Sequence, residues 1–501
     1  MSILSKQAFI ATAAMLALSA CGGRRARFDV ALTSLPPLGA AGAIYYATSD
    51  ARLVRVDPAV PSSSSQRLSG VPVEIDALPD GVVVLSSAAK SLDRFDATGK
   101  PVTTLALGAS FGRCAFATDS LYAVCTYGAS SPHAGVRNLN EVAVVDLAGN
   151  TVRKLVLDTS SLSPSAVVFS PSGAAPRYAA VLLTGGVAVI DLAHPDRQVK
   201  LDLTLGGATL VPAHAVFGTD ALHLFLTASG SDDVFAIALT QAADGTLSGH
   251  INFLAGGRGP RAIATIASAS NSVLVVYASG DAALLDADGR SENELRVSLA
   301  QAGSGITVLG LPSSAPSGAP AFPVVLLTGT GDAAYLWDLG ARTLGTVPLG
   351  APYRTEALLT SGLALFSHAA LPFPDGAAPA LTTLAIVRDS ASAKLHAKPH
   401  TVELDQPLVT SALDADGGAQ LFVLRDEPAL WRLPLGSAVP DSVQLDTQPR
   451  SVGLAGNFAY ADAADPFGDV TVIPLGDFQR GSARRIAGFL LMGVVDAASG
   501  D

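Results

Sequence analysis

The chain between residues 165 and 203 contains the pattern that decides the fold. Four short apolar runs follow one another, namely Ser165-Ala-Val-Val-Phe-Ser170, Arg177-Tyr-Ala-Ala-Val-Leu-Leu183, Val187-Ala-Val-Ile-Asp-Leu192 and Gln198-Val-Lys-Leu-Asp-Leu203. Turn-forming residues separate them, as in Pro171-Ser-Gly173 and Thr184-Gly-Gly186. Runs of this kind, bounded by Gly, Pro, Asp and Ser, are typical of antiparallel strands joined by tight turns. The stretch therefore predicts one four-stranded antiparallel unit.

The third run of this unit, which ends in Asp, returns along the chain. Copies end at Asp57, Asp96, Asp146, Asp191, Asp286, Asp338 and Asp389, two late copies carry Pro434 and Pro474 there, and one around Leu239 has lost the acid. The nine steps from Asp57 to Pro474 span 417 residues, so their mean is near 46. Four strands in roughly 40–50 residues are typical of a propeller blade.

The sequence thus predicts an all-β fold, a β-propeller of four-stranded antiparallel blades with about ten repeat units. The units form either one large ring or two fused rings, and the insertions Gly128–Asn140 and Leu371–Pro379 are the visible breaks. The first unit, Ala43–Ser69, lacks its innermost strand. A ring closes by pairing its termini, so either Phe28–Leu35 or Leu490–Asp496 is expected to supply that strand.

Composition agrees with this fold. The chain has 501 residues, of which 49% are apolar and only 15% charged, with 48 glycines and 31 prolines. Such frequent Gly and Pro interrupt long helices, whereas blades packed face to face have strands that are apolar throughout. A net charge of −11 disfavours binding to nucleic acid, and none is expected as a partner.

The first twenty residues predict export. Lys6 and the apolar run Ala8–Ala17 precede small residues, which is the pattern of a secretory signal. Leu18-Ser19-Ala20-Cys21 resembles the lipobox of bacterial lipoproteins. The resemblance implies cleavage before Cys21 and acylation of its thiol and new amino terminus, palmitate included. Gly22 implies the outer membrane, on its periplasmic or surface face. An ordinary signal peptide with a chance cysteine is the alternative.

These features divide the chain into a signal peptide at 1–20, a lipid-anchored tether at 21–40 and a propeller at 41–501. The repeat also resembles the YVTN-type propeller repeat of secreted and periplasmic bacterial proteins. The resemblance is carried by Ser163–Gly173 and Gly186–Leu192, is close over Glu141–Leu192 and is looser elsewhere, since no copy has a Tyr-Val-Thr-Asn string. It implies the same fold in an exported protein.

Two cysteines are placed for a disulfide. In a hairpin that turns at Asp119-Ser120, the residue numbers of facing positions sum to 239, which pairs Cys114 with Cys125. Directly opposed residues have Cα atoms roughly 4.5–5.5 Å apart, a separation that a disulfide bridges. An exported protein meets oxidising conditions. A disulfide is therefore predicted, with two buried thiols as the alternative.

Basic residues recur at the start of the predicted innermost strands, and these are Arg113, His214, Arg261, Arg354 and Arg450. Because innermost strands line the central channel, these side chains are expected to converge at one mouth. Guanidinium groups there would bind an anionic ligand or a carboxylate-rich loop of an envelope protein. The alternative is that each arginine pairs with an Asp of the next blade or caps carbonyl groups.

Two other motifs predict no chemistry. Gly108–Gly112 matches G-x-S-x-G, but it joins two strands, whereas a catalytic serine elbow joins a strand to a helix. His396 and His400 have the spacing of zinc ligands on a helix, but Lys398-Pro399 between them favours a hairpin. No metal and no cofactor are therefore expected.

The leading interpretation is a non-enzymatic, lipid-anchored propeller of the cell envelope that acts as a protein- or ligand-binding scaffold. In architecture and address it resembles propeller lipoproteins that act as scaffolds in outer-membrane assembly. The membrane, through the lipid on Cys21, and envelope proteins are the expected partners. The alternative is a propeller enzyme, a lactonase-like hydrolase or a quinoprotein oxidoreductase, with its site at the channel mouth.

Overall fold

A computed structural model describes the propeller. It covers residues 32–128, 136, 138–157, 164–173, 177–205, 207–267, 269–290, 294–311, 323–359, 362–389, 394–414, 418–434, 437, 439–463 and 465–491. These residues form ten four-stranded antiparallel sheets, called blades 1 to 10 in chain order, and one two-stranded hairpin. The all-β prediction and the number of units are confirmed. None of the helices in the described ranges has the length and apolar character that crossing a membrane requires.

The strands follow one another from first to fourth within every blade. In the first half of the ring they are Leu38–Ala40, Ala43–Thr48, Arg52–Asp57 and Ser62–Arg67 (blade 1), Glu74–Leu78, Gly81–Ser86, Ser91–Asp96 and Pro101–Ala106 (blade 2), Arg113–Phe116, Tyr122–Thr126, Glu141–Asp146 and Thr151–Val156 (blade 3), Ala166–Phe169, Tyr178–Leu183, Gly186–Asp191 and Gln198–Asp202 (blade 4), and Val211–Phe217, His223–Ser229, Asp233–Gln241 and Leu247–Ala255 (blade 5). The small hairpin Thr204–Leu205 and Ala208–Thr209 precedes blade 5.

In the second half they are Pro260–Ile266, Ala269–Tyr277, Asp281–Asp286 and Leu295–Ser298 (blade 6), Gly303–Leu309, Val324–Gly329, Ala333–Asp338 and Thr343–Pro348 (blade 7), Arg354–Leu359, Leu363–Phe373, Gly376–Arg388 and Leu395–Glu403 (blade 8), Leu408–Asp414, Ala419–Leu424, Ala429–Pro434 and Asp441–Gln444 (blade 9), and Ser451–Ala455, Phe458–Asp462, Asp469–Pro474 and Arg484–Ala487 (blade 10). Three short 3₁₀ helices, Leu475–Asp477, Arg480–Ser482 and Phe489–Leu491, belong to the last blade.

Burial orders the strands from the channel to the periphery. Second strands such as Ala43–Thr48 and Tyr178–Leu183 are buried at every position. In fourth strands such as Gln198–Asp202, exposed residues alternate with half-buried ones. The first strands of neighbouring blades contact one another, so they are innermost and line the channel. We call the face on which each first strand begins the upper face, and the face on which each third strand ends the lower face.

The ten blades close into one ring. A cluster of buried apolar side chains fills each junction between consecutive blades from 1 to 10. A further cluster joins blade 10 to blade 1. Every blade is therefore packed on two neighbours, which excludes the alternative of two fused rings.

The innermost strand of blade 1 comes from the N-terminal side. It is Leu38–Ala40, and just before it the Leu35 N–H donates to Ala47 O at 2.9 Å. Of the two alternatives, the N-terminal one is therefore correct, although the strand lies a few residues after the expected segment Phe28–Leu35. The propeller also begins before residue 41, which corrects the expected tether at 21–40, because residues 32–40 pack in the ring.

The C-terminal segment contributes packing to the closure. Within the described residues, Leu490 lies in the 3₁₀ helix Phe489–Leu491, which is buried between blades 10 and 1. The Arg52 guanidinium of blade 1 donates to Leu490 O at 2.7 Å. Hydrophobic contact across the seam therefore closes the ring, and the described part of Leu490–Asp496 does not form the missing strand.

The recurring Asp of the repeat stabilises a turn. Its carboxylate accepts backbone N–H groups from the turn between the third and fourth strands, at Asp57, Asp96, Asp146, Asp191, Asp286 and Asp338. Asp is favoured there because its short side chain reaches the backbone two or three residues ahead. The most visible residue of the repeat therefore has a structural role on the lower face.

Arginines near the ends of third strands link neighbouring blades on that face. Arg94 donates to Leu147 O of the next blade at 2.8 Å. Arg388 binds the Asp338 carboxylate of the previous blade at 2.8 Å, and both side chains are only 4% exposed. Arg388, the charged residue before Asp389 in an otherwise apolar run, is thus one partner of a buried ion pair between blades.

Candidate functional site at the upper mouth of the channel

The structure places all five predicted binding residues on first strands or directly before one, and four of them lie at the upper end. Arg113 and Arg354 begin their strands, Arg450 directly precedes one, and Arg261 and His214 are the second and fourth residues of theirs, in blades 3, 8, 10, 6 and 5 respectively. All five therefore lie on, or directly before, the strands that line the channel. Their surroundings differ, however, and divide them into two groups.

Arg113 is occupied by the neighbouring blade. Its guanidinium donates to Thr126 Oγ1 at 3.2 Å, to Pro164 O at 3.1 Å and to Ser165 O at 2.7 Å. The last two carbonyl groups lie just before the first strand of blade 4. The alternative expectation, in which the arginine caps carbonyl groups, is the one that the structure shows for Arg113.

Arg450 is part of the ring closure. Its guanidinium lies 3.6 Å from the Asp462 carboxylate, which is buried. Tyr46 of blade 1 donates to the same carboxylate at 3.2 Å. Burial, together with this negative neighbour, raises the pKa of the Tyr46 hydroxyl well above its ordinary value, so it stays a donor. Arg450 therefore balances a carboxylate that joins blades 10 and 1.

His214 and Arg261 remain exposed on neighbouring blades. Among the described residues, neither side chain has a hydrogen bond or an ion pair, and the first strands of blades 5 and 6 contact each other. A β-bulge interrupts the register at both places, between Pro212 and His214 and around Arg261. Because a bulge turns side chains out of the regular pleat, it is a common device near binding sites. Two groups capable of binding an anion thus lie on contacting first strands.

A cavity of about 400 Å³ opens on the upper face between blade 8 and the start of blade 9. Its apolar lining consists of Pro352, Tyr353, Ala369, Pro379, Ala380, Leu404, Pro407 and Leu408. Its polar lining consists of Arg354, Glu356, Ser367 and His368. This combination of apolar walls with a few convergent polar groups is typical of a small-molecule site.

The charged pair in this cavity joins a buried glutamate to an exposed arginine. Glu356 is the extra residue of a β-bulge and is 7% exposed, and its Oε1 accepts from Ser367 Oγ at 2.8 Å. Arg354 Nε lies 3.4 Å from the same oxygen, but the arginine side chain is 80% exposed. The carboxylate is thus fixed by the fold, whereas the outer edge of the guanidinium faces the opening.

His368, beside this pair, is held neutral. Its Nδ1 lies 3.3 Å from Pro352 O and its Nε2 lies 3.0 Å from Thr382 Oγ1. Since a carbonyl only accepts, Nδ1 carries the proton and Nε2 accepts from the threonine. Burial lowers the pKa of His368, which agrees with a neutral ring. The imidazole therefore holds the chain that enters blade 8, and both of its nitrogens are occupied.

The insertion Leu371–Pro379 lies beside the cavity and contributes Pro379 to its lining. The second and third strands of blade 8 extend beyond their counterparts, to Phe373 and from Gly376. Leu371 in this extension packs on Ala351 and Ala380. The insertion thus belongs to the upper mouth and is no break between rings. The other insertion, Gly128–Asn140, lies mainly outside the described residues.

One acidic residue of the mouth escaped the sequence analysis. Glu74, at the upper end of blade 2, accepts from the Cys114 N–H of blade 3 at 2.6 Å. Burial raises the pKa of Glu74 to about 7, although this hydrogen bond and Arg113 oppose the shift. In the sequence Glu74 follows Val73 and precedes Ile75, which is the alternation of an ordinary half-exposed strand, so no signal marked it.

The predicted cysteine pairing is confirmed in register. Cys114 and Cys125 face each other on the first and second strands of blade 3, with Cα atoms 3.9 Å apart, and their sulfur atoms are joined. Both side chains are buried. Cys21, the predicted lipid attachment point, lies outside the described residues.

The weaker motifs are placed as expected. His396 and His400 lie on the outermost strand of blade 8, where residues four apart are separated by roughly 13 Å and cannot share one ion. Gly108–Gly112 connects a strand of blade 2 to a strand of blade 3. In the described part of the chain, no three His, Cys, Asp or Glu side chains group as metal ligands would.

Comparison with known proteins found only distant similarity to solved structures. No protein-family model and no curated protein match the chain. The dihydro-heme d1 dehydrogenase NirN in complex with DHE is a similar solved structure, with a TM-score of 0.44 and 11% identity over 81% of this chain and 73% of that one. Apo AztD from Citrobacter koseri has a TM-score of 0.36 and 11% identity over 62% and 84%. Kuenenia stuttgartiensis hydrazine synthase has 0.30 and 14% over 80% and 95%.

Proposed function

We propose that this chain is a non-enzymatic, lipid-anchored β-propeller of the bacterial outer membrane, and that it binds an anionic ligand or an acidic protein loop at the upper mouth. The proposal is carried by His214 and Arg261, which are exposed on contacting strands of blades 5 and 6 and have no side-chain partner in the part of the chain that the structure describes. A ring packed at all ten junctions holds them rigidly, so little entropy would be lost when a partner binds.

The chain enters the ring on the same face as the mouth. Residues 33–35 pair with the upper end of the second strand of blade 1, so the chain enters the ring at the upper face. From Cys21 to Leu32 are eleven residue steps, which span at most about 40 Å when extended. If Cys21 is acylated, the point where the chain enters the ring lies within that distance of the lipid surface.

The anchor is tested by metabolic labelling with an alkyne fatty acid in a bacterial host. We expect label on the wild-type chain and on Cys114→Ser, which keeps the lipobox, and none on Cys21→Ser. The Cys21→Ser chain should also leave the membrane fraction. Equal labelling of Cys21→Ser would refute the anchor.

The binding role is tested by quantitative co-purification from detergent-solubilised envelope. The double variant His214→Ala/Arg261→Ala is compared with Arg290→Ala, which removes an exposed arginine beyond the third strand of blade 6 on the lower face. We expect the double variant to lose a partner that the wild type and Arg290→Ala retain. If all three chains recover the same proteins in the same amounts, the upper mouth is not the binding surface.

A hydrolase is the second candidate, and Glu74 is the observation that favours it. A carboxyl group with a pKa near 7 at a channel mouth is suited to general acid–base work at neutral pH. Its test is hydrolysis of a panel of lactones and esters by the wild type and Glu74→Gln. Turnover that disappears in Glu74→Gln, with unchanged folding, would replace the scaffold by an enzyme.

A further inference from the structure

The cavity between blades 8 and 9 has the features of a site for one specific class of small molecule. We propose that it binds a free α-amino acid with an apolar side chain. This goes beyond the scaffold role, because it needs neither the lipid anchor nor a protein partner.

Charge selects the class of ligand. Arg354 and Glu356 contribute one positive and one negative group to the cavity, joined through Arg354 Nε and Glu356 Oε1 at 3.4 Å. A ligand with only a carboxylate could bind the guanidinium, but it would add a second negative charge beside the buried Glu356 carboxylate. A simple amine would stand beside Arg354. A zwitterion places its carboxylate on the open edge of the guanidinium and its ammonium near Glu356, so both protein charges are matched.

The fold fixes the acidic group in advance. Glu356 occupies a β-bulge, and Ser367 donates to it at 2.8 Å. Tyr353, in the segment before it, is immobilised because its hydroxyl accepts from Gly329 N–H at 3.0 Å and donates to Ala333 O at 3.1 Å. A group held in this way is preorganised for an ammonium and loses little freedom on binding.

The remaining walls suit an apolar side chain. Pro352, Pro379 and Leu408 also line the cavity and add no further charge. A volume of about 400 Å³ lies at the small end of the range of ligand sites, roughly 300–1,000 Å³, so a single amino acid fits better than a peptide. His368 adds no further polar contact, since both of its ring nitrogens are occupied.

The test is isothermal titration of the full chain in detergent with L-leucine and L-phenylalanine. Two analogues of leucine, 4-methylpentanoate and 3-methylbutylamine, each lack one of its charges. We expect an amino acid to bind at least 10-fold more tightly than either analogue. Arg354→Gln and Glu356→Gln should each weaken binding at least 10-fold, whereas Arg290→Gln, which changes an exposed arginine on the lower face, should bind like the wild type.

Three results would overturn the proposal. The first is no saturable binding of either amino acid, the second is equal affinity for an analogue with one charge, and the third is an equal loss of affinity in Arg290→Gln. Should Glu356→Gln unfold, the exposed Arg354→Gln decides alone, because its side chain is 80% exposed and its removal leaves the packing intact. Failure here is distinguishable from failure of the scaffold role, which is measured with His214 and Arg261.

Discussion

Ring closure by packing gives a sharp prediction for Phe489. This side chain is 1% exposed in the seam between blades 10 and 1, and its ring centroid lies 4.8 Å from that of Tyr46. Truncation of a buried phenylalanine removes its transfer free energy and leaves a cavity, which together cost about 3–5 kcal/mol. We therefore expect Phe489→Ala to lower the free energy of unfolding by about 3–5 kcal/mol.

The matched control is Phe467→Ala, in the same blade, where the side chain is 41% exposed and the expected loss is under about 1 kcal/mol. Equilibrium urea unfolding, followed by the fluorescence of Trp337 and Trp431 in blades 7 and 9, reports the difference. Because both tryptophans lie away from the seam, they report the stability of the ring as a whole. If the two variants unfold at the same urea concentration, the C-terminal segment does not hold the ring closed.

Three further predictions concern the mouth and the seam. In the folded protein the pKa of Glu74 lies near 7, above its ordinary value of 4.5, so its contribution to stability is present at pH 4.5 and is lost as the pH rises through 7. Allowing for the partial exposure of Glu74, we expect the free energy of unfolding to fall between pH 5 and pH 8 by about 1–2 kcal/mol more in the wild type than in Glu74→Gln. Non-reducing peptide mapping should recover Cys114 linked to Cys125, and two free thiols would contradict the pairing. A Cβ on Gly39 would overlap the backbone of blade 10, so Gly39→Ala should lower the free energy of unfolding by about 1–3 kcal/mol or more. A Cβ on Gly476 meets open space, so Gly476→Ala should leave the stability nearly unchanged when both variants are compared by urea unfolding.

The fold was predictable because each blade repeats the same local rule. Strand runs such as Tyr178–Leu183 are apolar throughout, and Asp closes the turn after the third strand, so the period is visible without any alignment. Closure was less predictable. The strand Leu38–Ala40 is only three residues long and follows Pro36-Pro37, which hides it, and the seam is built by contacts between residues more than 400 positions apart.

The sequence indicated which strands carry the basic residues but not which of these residues are paired. The repeat register assigned five basic residues to first strands, and the structure has them on first strands or directly before one; these are Arg113, His214, Arg261, Arg354 and Arg450. Which of them are free depends on partners in other blades, such as Pro164 for Arg113 and Asp462 for Arg450. Such contacts leave no local pattern in the sequence. The cavity of blade 8 depends on a bulge and on a hairpin extension, which a strand pattern does not reveal.

The central claim is that blade 10 packs on blade 1 and closes a single ring of ten blades. Hydrogen–deuterium exchange of the native chain tests it most directly. In a closed ring, the amides of Ala43–Thr48 in blade 1 and Phe458–Asp462 in blade 10 exchange as slowly as those of His223–Ser229 in blade 5, because all three are second strands covered on both sides. Exchange at least 10-fold faster in both terminal blades than in blade 5 would show that the seam is open and would contradict the closed ring.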